Sequence, residues 1–329
     1  IGGPPCQPFS KSGYWVKGDA GRLNDPRSNT LTEYMRVLED TLPRAFILEN
    51  VFGLAYKGKD EGLVFLKERV AEINKKNGTK YSFQWKVLNT AQYGVPQIRE
   101  RVFIVGSRDG AEFKFPEPRY YNPEDPEEAG TLFKSKAEPF RTAWDALHDL
   151  EADNDKPFPS RVGGRWGALL PSIPEGNNYL FHSERGDGKP IFKWRSRYWS
   201  FLLKLSKDKP SWTIQAQPGS AIGPFHWKNR RLTMREMARI QTFPDDVEVL
   251  GGVSEVQKQI GNAVPSAIGE MLALEIRKQL FEDAVNTTKV SLVPEKAPVE
   301  PKPVKVYPVA KEFLELRVVP SERAATMEV

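Results

Sequence analysis

The sequence has a single cysteine and three histidines in 329 residues. One cysteine permits no internal disulfide, and so few soft ligands exclude most zinc sites, which gather four. No metal centre is expected. A reducing, cytoplasmic setting is the default for a chain so poor in cysteine. No stretch approaches the roughly 20 apolar residues of a membrane span. The opening, Ile1-Gly2-Gly3-Pro4-Pro5, has neither the basic segment nor the apolar stretch of a secretion signal, and it does not start with Met. No internal repeat is visible.

What is present describes a globular chain. Hydrophobic residues make up 39% and charged residues 28%. The length suffices for one large domain and a smaller one, each with its own core. The net charge of +5 suits a polyanionic partner, though charge alone is weak support for nucleic acid.

Residues 1–112 read as part of an α/β domain. Leu31, Tyr34, Met35, Leu38 and Leu42 repeat at helical spacing, as do Leu63, Leu66, Val70 and Ile73, with Gly78 as a helix stop. Between them, Arg44 to Val51 is an apolar run ending in a carboxylate, Glu49, as a buried strand reads when its end opens onto a site. Phe83 to Leu88 and Val102 to Val105 read as further strands. This order predicts a mostly parallel sheet flanked by helices. Residues 113–229 change character: proline, glycine and aromatics become dense and helical periodicity fades, which predicts a smaller, irregular, β-rich domain. Residues 230–282 return to helices that belong with the first domain. Thr233 to Glu236 has capping-box spacing, and Pro265 to Phe281 looks like a long amphipathic helix. The Pro/Lys/Glu-rich tail, 283–329, reads as linker-like and poorly ordered.

Three places could carry chemistry. Cys6 sits between Pro5 and Pro8, which forbid helix, and precedes a glycine-bearing stretch, Lys11 to Arg27, that reads as a lid. It is either a catalytic thiolate or a small buried apolar residue. Glu49 ends a buried run, where desolvation raises a carboxyl pKa and suits it to donate a proton; the alternative is a helix N-cap or a structural hydrogen bond through Asn50. Strand alternation places Gln97, Arg99 and Arg101 on one face. The arginines either pair with Glu49 or bind a phosphate or carbonyl, or they form a plain surface ladder. A fourth stretch, Phe192 to Trp199, interleaves cations and aromatics. It lies along a nucleic acid or forms a core strand with solvated charges opposite.

These pieces together resemble the DNA (cytosine-5)-methyltransferases of restriction-modification systems. Gly3-Pro4-Pro5-Cys6-Gln7 resembles their motif IV, and Glu49-Asn50-Val51 resembles motif VI. Tyr93-Gly94-Val95-Pro96-Gln97 with Arg99 and Arg101 is similar to motif VIII. Arg231 to Asp245 is similar to motif IX, and Gly261-Asn262-Ala263-Val264-Pro265 to motif X. All stand in the family's order, with its target-recognition domain falling in the long gap after motif VIII.

The resemblance implies an incomplete Rossmann-like catalytic domain plus a target-recognition domain, and methyl transfer from S-adenosylmethionine to carbon 5 of cytosine in double-stranded DNA. Cys6 is then the nucleophile, Glu49 holds or protonates the ring nitrogen, Arg101 contacts the base carbonyl, and Arg99 supports the site. The target base must be flipped from the duplex. DNA contacts fall to Ser12 and Arg27 in the lid, to Thr213, and to Arg195 and Arg197. Pro5, Gln7 and Asn262 line the cofactor pocket. The glycine turn of the family's motif I has no counterpart here, nor does any rearranged copy in the tail. The expectation is therefore a truncated chain, or one subunit of a split enzyme with a second chain supplying motifs I to III. On its own it is either an incomplete methylase, a monomer when complete, or a DNA-binding fragment without turnover. Pro4-Pro5-Cys6 also resembles the nucleophile turn of thymidylate synthase, but that family follows its cysteine with histidine where this chain has Gln7. Amino-group methyltransferases place an aromatic where Cys6 stands.

Overall fold

The computed structural model describes residues 1–4, 29–51, 61–125, 137–150, 162, 164–287 and 289–316. In chain order its elements begin with α1 (Asn29–Thr41), β1 (Ala45–Val51), α2 (Glu61–Asn77), β2 (Ser82–Asn89), β3 (Gln97–Ile98) and β4 (Glu100–Ser107). There follow β5 (Tyr120–Tyr121), β6 (Glu138–Pro139), α3 (Ala143–Leu147), β7 (Ser211–Trp212), α4 (Met234–Ile240), α5 (Val253–Asn262) and α6 (Ser266–Leu280). No helix among the described residues is long and apolar enough to cross a membrane. The chain divides into two compact units, one of residues 1–93, 99–119 and 268–291, the other of 94–98, 120–267 and 292–329.

The first unit is built on a three-stranded sheet in the order β1-β4-β2. The long α2 crossover lets β1 and β2 run the same way, and Gly2 bridges Leu48 in that direction too. A short connection then returns the chain as β4 between β1 and β2, so both ladders are antiparallel. The mostly parallel sheet expected from the sequence is not what the described residues form: both ladders are antiparallel, and parallel pairing in this sheet is limited to the Gly2–Leu48 bridge. On one face, Phe46, Leu48, Val102 and Ile104 pack with Leu31, Met35 and Leu38 of α1 and Leu63, Leu66, Val70 and Ile73 of α2. The helices occupy the predicted spans because these apolar positions recur every three or four residues. α2 stops at Gly78, which takes a φ of +66°. Alternation turns Glu49, Arg101 and Phe103 to the opposite face.

The second unit differs from the strand-rich reading. Its named strands among the described residues are two residues long, and turns and single bridges do the rest. Dense proline and glycine interrupt ladders, so the core is assembled by side chains instead. One cluster joins Tyr179, Phe192, Phe201, Phe225 and Phe313; another joins Trp144, Leu205, Ile214 and Trp227 to Met237, Ile240, Val256 and Ile260 of α4 and α5. That second cluster is why α4 and α5 group with this unit, whereas the sequence assigned all of 230–282 to the first; only the stretch from Ile268 does so. The Thr233 capping box forms, with the hydroxyl accepting from Glu236 N and the carboxylate accepting from Thr233 N at 2.8 Å.

The tail from Leu292 to Leu316 is an extended strap on the second unit rather than a loose linker. Trp144 Nε1 donates to Val299 O at 2.6 Å, Ala297 N to Asp145 Oδ1 at 2.8 Å, and Tyr307 N to Pro171 O at 3.0 Å. Phe313 is buried and stacks on Trp166 with ring centres 5.7 Å apart. A proline-rich segment has few backbone donors to satisfy, so it can lie against a surface with a few scattered hydrogen bonds instead of a ladder.

Candidate active site

Glu49 stands near the end of β1 on the sheet face opposite α1 and α2. Its Oε1 meets Arg101 Nε at 3.0 Å, and the two side chains keep only 17% and 18% of their exposure. Burial pushes the Glu49 carboxyl above the ordinary carboxylate range, and the charges of Arg101 and Arg99 offset that push only in part. Arg99 is 1% exposed. Burial first, and then the neighbouring Arg101 charge, bring its guanidinium down to about 9. One carboxyl and two guanidinium groups thus share a desolvated corner. Such a corner can hold a polar ring: the acid offers a proton to a ring nitrogen, and the guanidinium groups offer hydrogen bonds to a carbonyl.

The amino-terminal residues are fixed against this corner. Gly2 N donates to Ile47 O and Glu49 N donates to Gly2 O, both at 2.9 Å. Asn50 Nδ2 donates to Pro4 O at 3.3 Å, and Asn50 Oδ1 accepts from Val51 N at 2.7 Å. Both glycines are there for close approach. A Cβ on Gly2 would lie 2.5 Å from the Tyr34 ring, and one on Gly3 would lie 3.2 Å from Glu49 Oε2. Tyr34 is itself anchored, donating to Ile47 O at 2.8 Å. Pro4 leads into Pro5 and Cys6, so the backbone is anchored two residues before the thiol. Pro5, Cys6, Gln7, Ser12 and Arg27 lie outside the described residues.

The structure therefore brings together Glu49, Arg99 and Arg101. The strand breaks at Arg99, between β3 and β4. The Gln97 amide lies in the second unit, donating to Gln241 Oε1 and accepting from Ile214 N, each at 3.0 Å. Gln241 in turn donates to Ile260 O at 2.8 Å. The alternation that put all three on one face fails because it assumes an unbroken strand. Thr213 is half-buried, and its hydroxyl donates to Ile98 O at 2.8 Å. Asn262 is exposed at the end of α5. Arg195 and Arg197 are exposed on a loop of the second unit. Sequence reasoning missed Tyr34 as an anchor and Gln241 as the partner of Gln97. The Gly2-Gly3 pair was the only local signal of the first; nothing local marks the second.

A family model described as C-5 cytosine-specific DNA methylase matches residues 1–278. The Type II methyltransferase M.SacI of Streptomyces achromogenes is 43% identical over 300 residues, covering 88% of this chain and 74% of its own. Type II methyltransferase M.NgoFVII of Neisseria gonorrhoeae is 32% identical over 268 residues, covering 80% and 65% respectively. Type II methyltransferase M1.HphI of Haemophilus parahaemolyticus is 31% identical over 294 residues, covering 84% and 68%.

Proposed function

Since this chain belongs to the C-5 cytosine-specific DNA methylase family, we propose that it methylates carbon 5 of a flipped cytosine in duplex DNA, with Cys6 as nucleophile, in a restriction-modification system. The observation that carries this reading is the Glu49–Arg101–Arg99 corner with the Gly2–Pro4 segment bonded against it. The Cys6 thiolate adds to ring carbon 6. Electron density moves to carbon 5 while ring nitrogen 3 takes a proton from Glu49, whose raised pKa keeps that proton available. Arg101 holds the carboxyl in place and offers a hydrogen bond to the base carbonyl, with Arg99 supporting it from full burial. After methylation a base removes the carbon 5 proton, the double bond re-forms and the thiolate leaves. Residues 113–229 are the proposed target-recognition region.

S-adenosylmethionine is the methyl donor implied. Of the three residues assigned to it, Asn262 alone is described, as one exposed amide.

The test is a covalent trap. The full-length protein, incubated with S-adenosylmethionine and duplex DNA carrying 5-fluorocytosine, should give a denaturant-resistant protein–DNA adduct. Cys6→Ala should give none, and Glu49→Gln should slow adduct formation by roughly 10²-fold or more. Absence of an adduct from the unaltered protein, or its persistence in Cys6→Ala, overturns the mechanism.

A further inference from the structure

Large aromatic side chains are seldom left in water on a rigid backbone. Tyr198 is 82% exposed, Trp199 52% and Trp212 40%. Trp199 and Trp212 meet edge to face, ring centres 5.7 Å apart, which makes one continuous apolar surface. The loop that carries Tyr198 and Trp199 also exposes Arg195 and Arg197.

The loop is held from beneath. Buried Tyr179 donates its hydroxyl to Arg197 O at 2.8 Å and accepts from Arg197 N at 3.1 Å. Asn178 Nδ2 donates to Trp199 O at 2.8 Å, and Phe201 N to Tyr198 O at 2.9 Å. Arg195 takes a left-handed φ of 56°, a conformation that costs a non-glycine residue energy. Phe192 and Phe201, at the two ends, are locked in the aromatic core. Polar groups of the core thus fix a backbone whose outward side chains touch little. Rings with few rotatable bonds on such a backbone lose little entropy on binding.

The surrounding charge favours a polyanion. The Arg185 and Arg195 guanidinium groups lie 5.3 and 6.0 Å from the Trp194 ring, and Arg197 lies 5.9 Å from that of Phe201. Glu184 and Asp187 are the exposed acids of the preceding turn. We infer that Tyr198 and Trp199 are specificity-determining residues whose rings insert against base steps that the bound duplex unstacks, while Arg195 and Arg197 hold its phosphates. The inference rests on the methyltransferase reading and goes beyond it by naming aromatic contacts to bases. Base–aromatic stacking of this kind is removed by alanine and preserved by another ring.

The full-length protein and its variants would be equilibrated with a random 30-base-pair duplex pool, the bound DNA sequenced, and affinities measured by anisotropy on the enriched duplex. Tyr198→Ala and Trp199→Ala should each weaken binding by about 5- to 150-fold and relax the enriched motif at one position or two. Tyr198→Phe should bind within about twofold of the parent, since the ring does the stacking. Arg197→Gln should weaken all sequences alike and lower the salt dependence. Near-ultraviolet circular dichroism checks that the exposed-site variants keep their fold. Parental affinity and an unchanged motif in both alanine variants overturn the inference, as does a loss in Tyr198→Phe equal to that in Tyr198→Ala. If the parent still traps 5-fluorocytosine DNA, the failure belongs to this inference alone; if it neither traps nor enriches DNA, the methyltransferase reading fails with it.

Discussion

Arg101→Met is the most informative change at the site. It removes one partner of a pair whose Nε–Oε1 separation is 3.0 Å and whose side chains are 18% and 17% exposed. Breaking a fully buried pair from one side costs about 3–5 kcal/mol, because the remaining charge is stranded. Partial exposure and the nearby Arg99 charge reduce this to ~2–3 kcal/mol. The Glu49 carboxyl has an escape: it can take up a proton, so its already raised pKa rises further. A carboxyl with a folded-state pKa above its unfolded value contributes most at low pH and loses that contribution as pH rises through the folded pKa. The deficit of Arg101→Met should therefore be larger at high pH and shrink as pH falls through the raised Glu49 pKa. Hydrogen-exchange protection of the β1 and β4 amides, followed from pH 5 to 8, reads the effect locally. Adding Glu49→Gln removes the stranded charge, so the double variant should recover about 2 kcal/mol relative to additivity. A deficit that does not change with pH, or strict additivity of the two substitutions, would refute the account of a desolvated carboxyl held by Arg101.

Two further outcomes follow from the second unit. Phe313→Ala should cost about 3–5 kcal/mol, as expected for an emptied aromatic site, and should make the strap from Leu292 to Leu316 sensitive to protease. Urea unfolding by tryptophan fluorescence checks the first effect and limited proteolysis the second; an unchanged midpoint sinks the strap's structural role. Buried His226 has its pKa pushed down to about 2, first by desolvation and then by the charges of Arg230, Lys228 and Lys207. Its contribution is whole above the ordinary value of 6.5 and is lost as pH falls below it, at about 1.4 kcal/mol per pH unit. His226→Gln should remove that slope from the acid limb of the urea midpoint.

Much of the site was legible because its signals are local. The acid near the end of β1 reads from an apolar run closing on a carboxylate, and pairing with Arg101 was one of the readings that two cations beside a strand allowed. The partnership with the Gly2 segment was less visible, since a doublet of glycines announces close approach without saying to what. The resemblance to motifs in order carried Cys6, the proposed nucleophile, which lies outside the described residues.

The helices around Leu31 to Leu42 and Leu63 to Ile73, the stop at Gly78, the Thr233 cap and the succession of helix and strand came from the sequence alone, since each depends on residues within about one turn or one strand of itself. Other features needed the folded chain: the insertion of β4 between two parallel neighbours, the transfer of Gln97 to Gln241, the sharing of α4 and α5 with the aromatic unit, and the docking of a proline-rich tail. Each of these joins residues far apart in the chain. Which distant partner wins is decided by the surface both can bury and the hydrogen bonds both can complete, and no short window of sequence contains both halves of that choice.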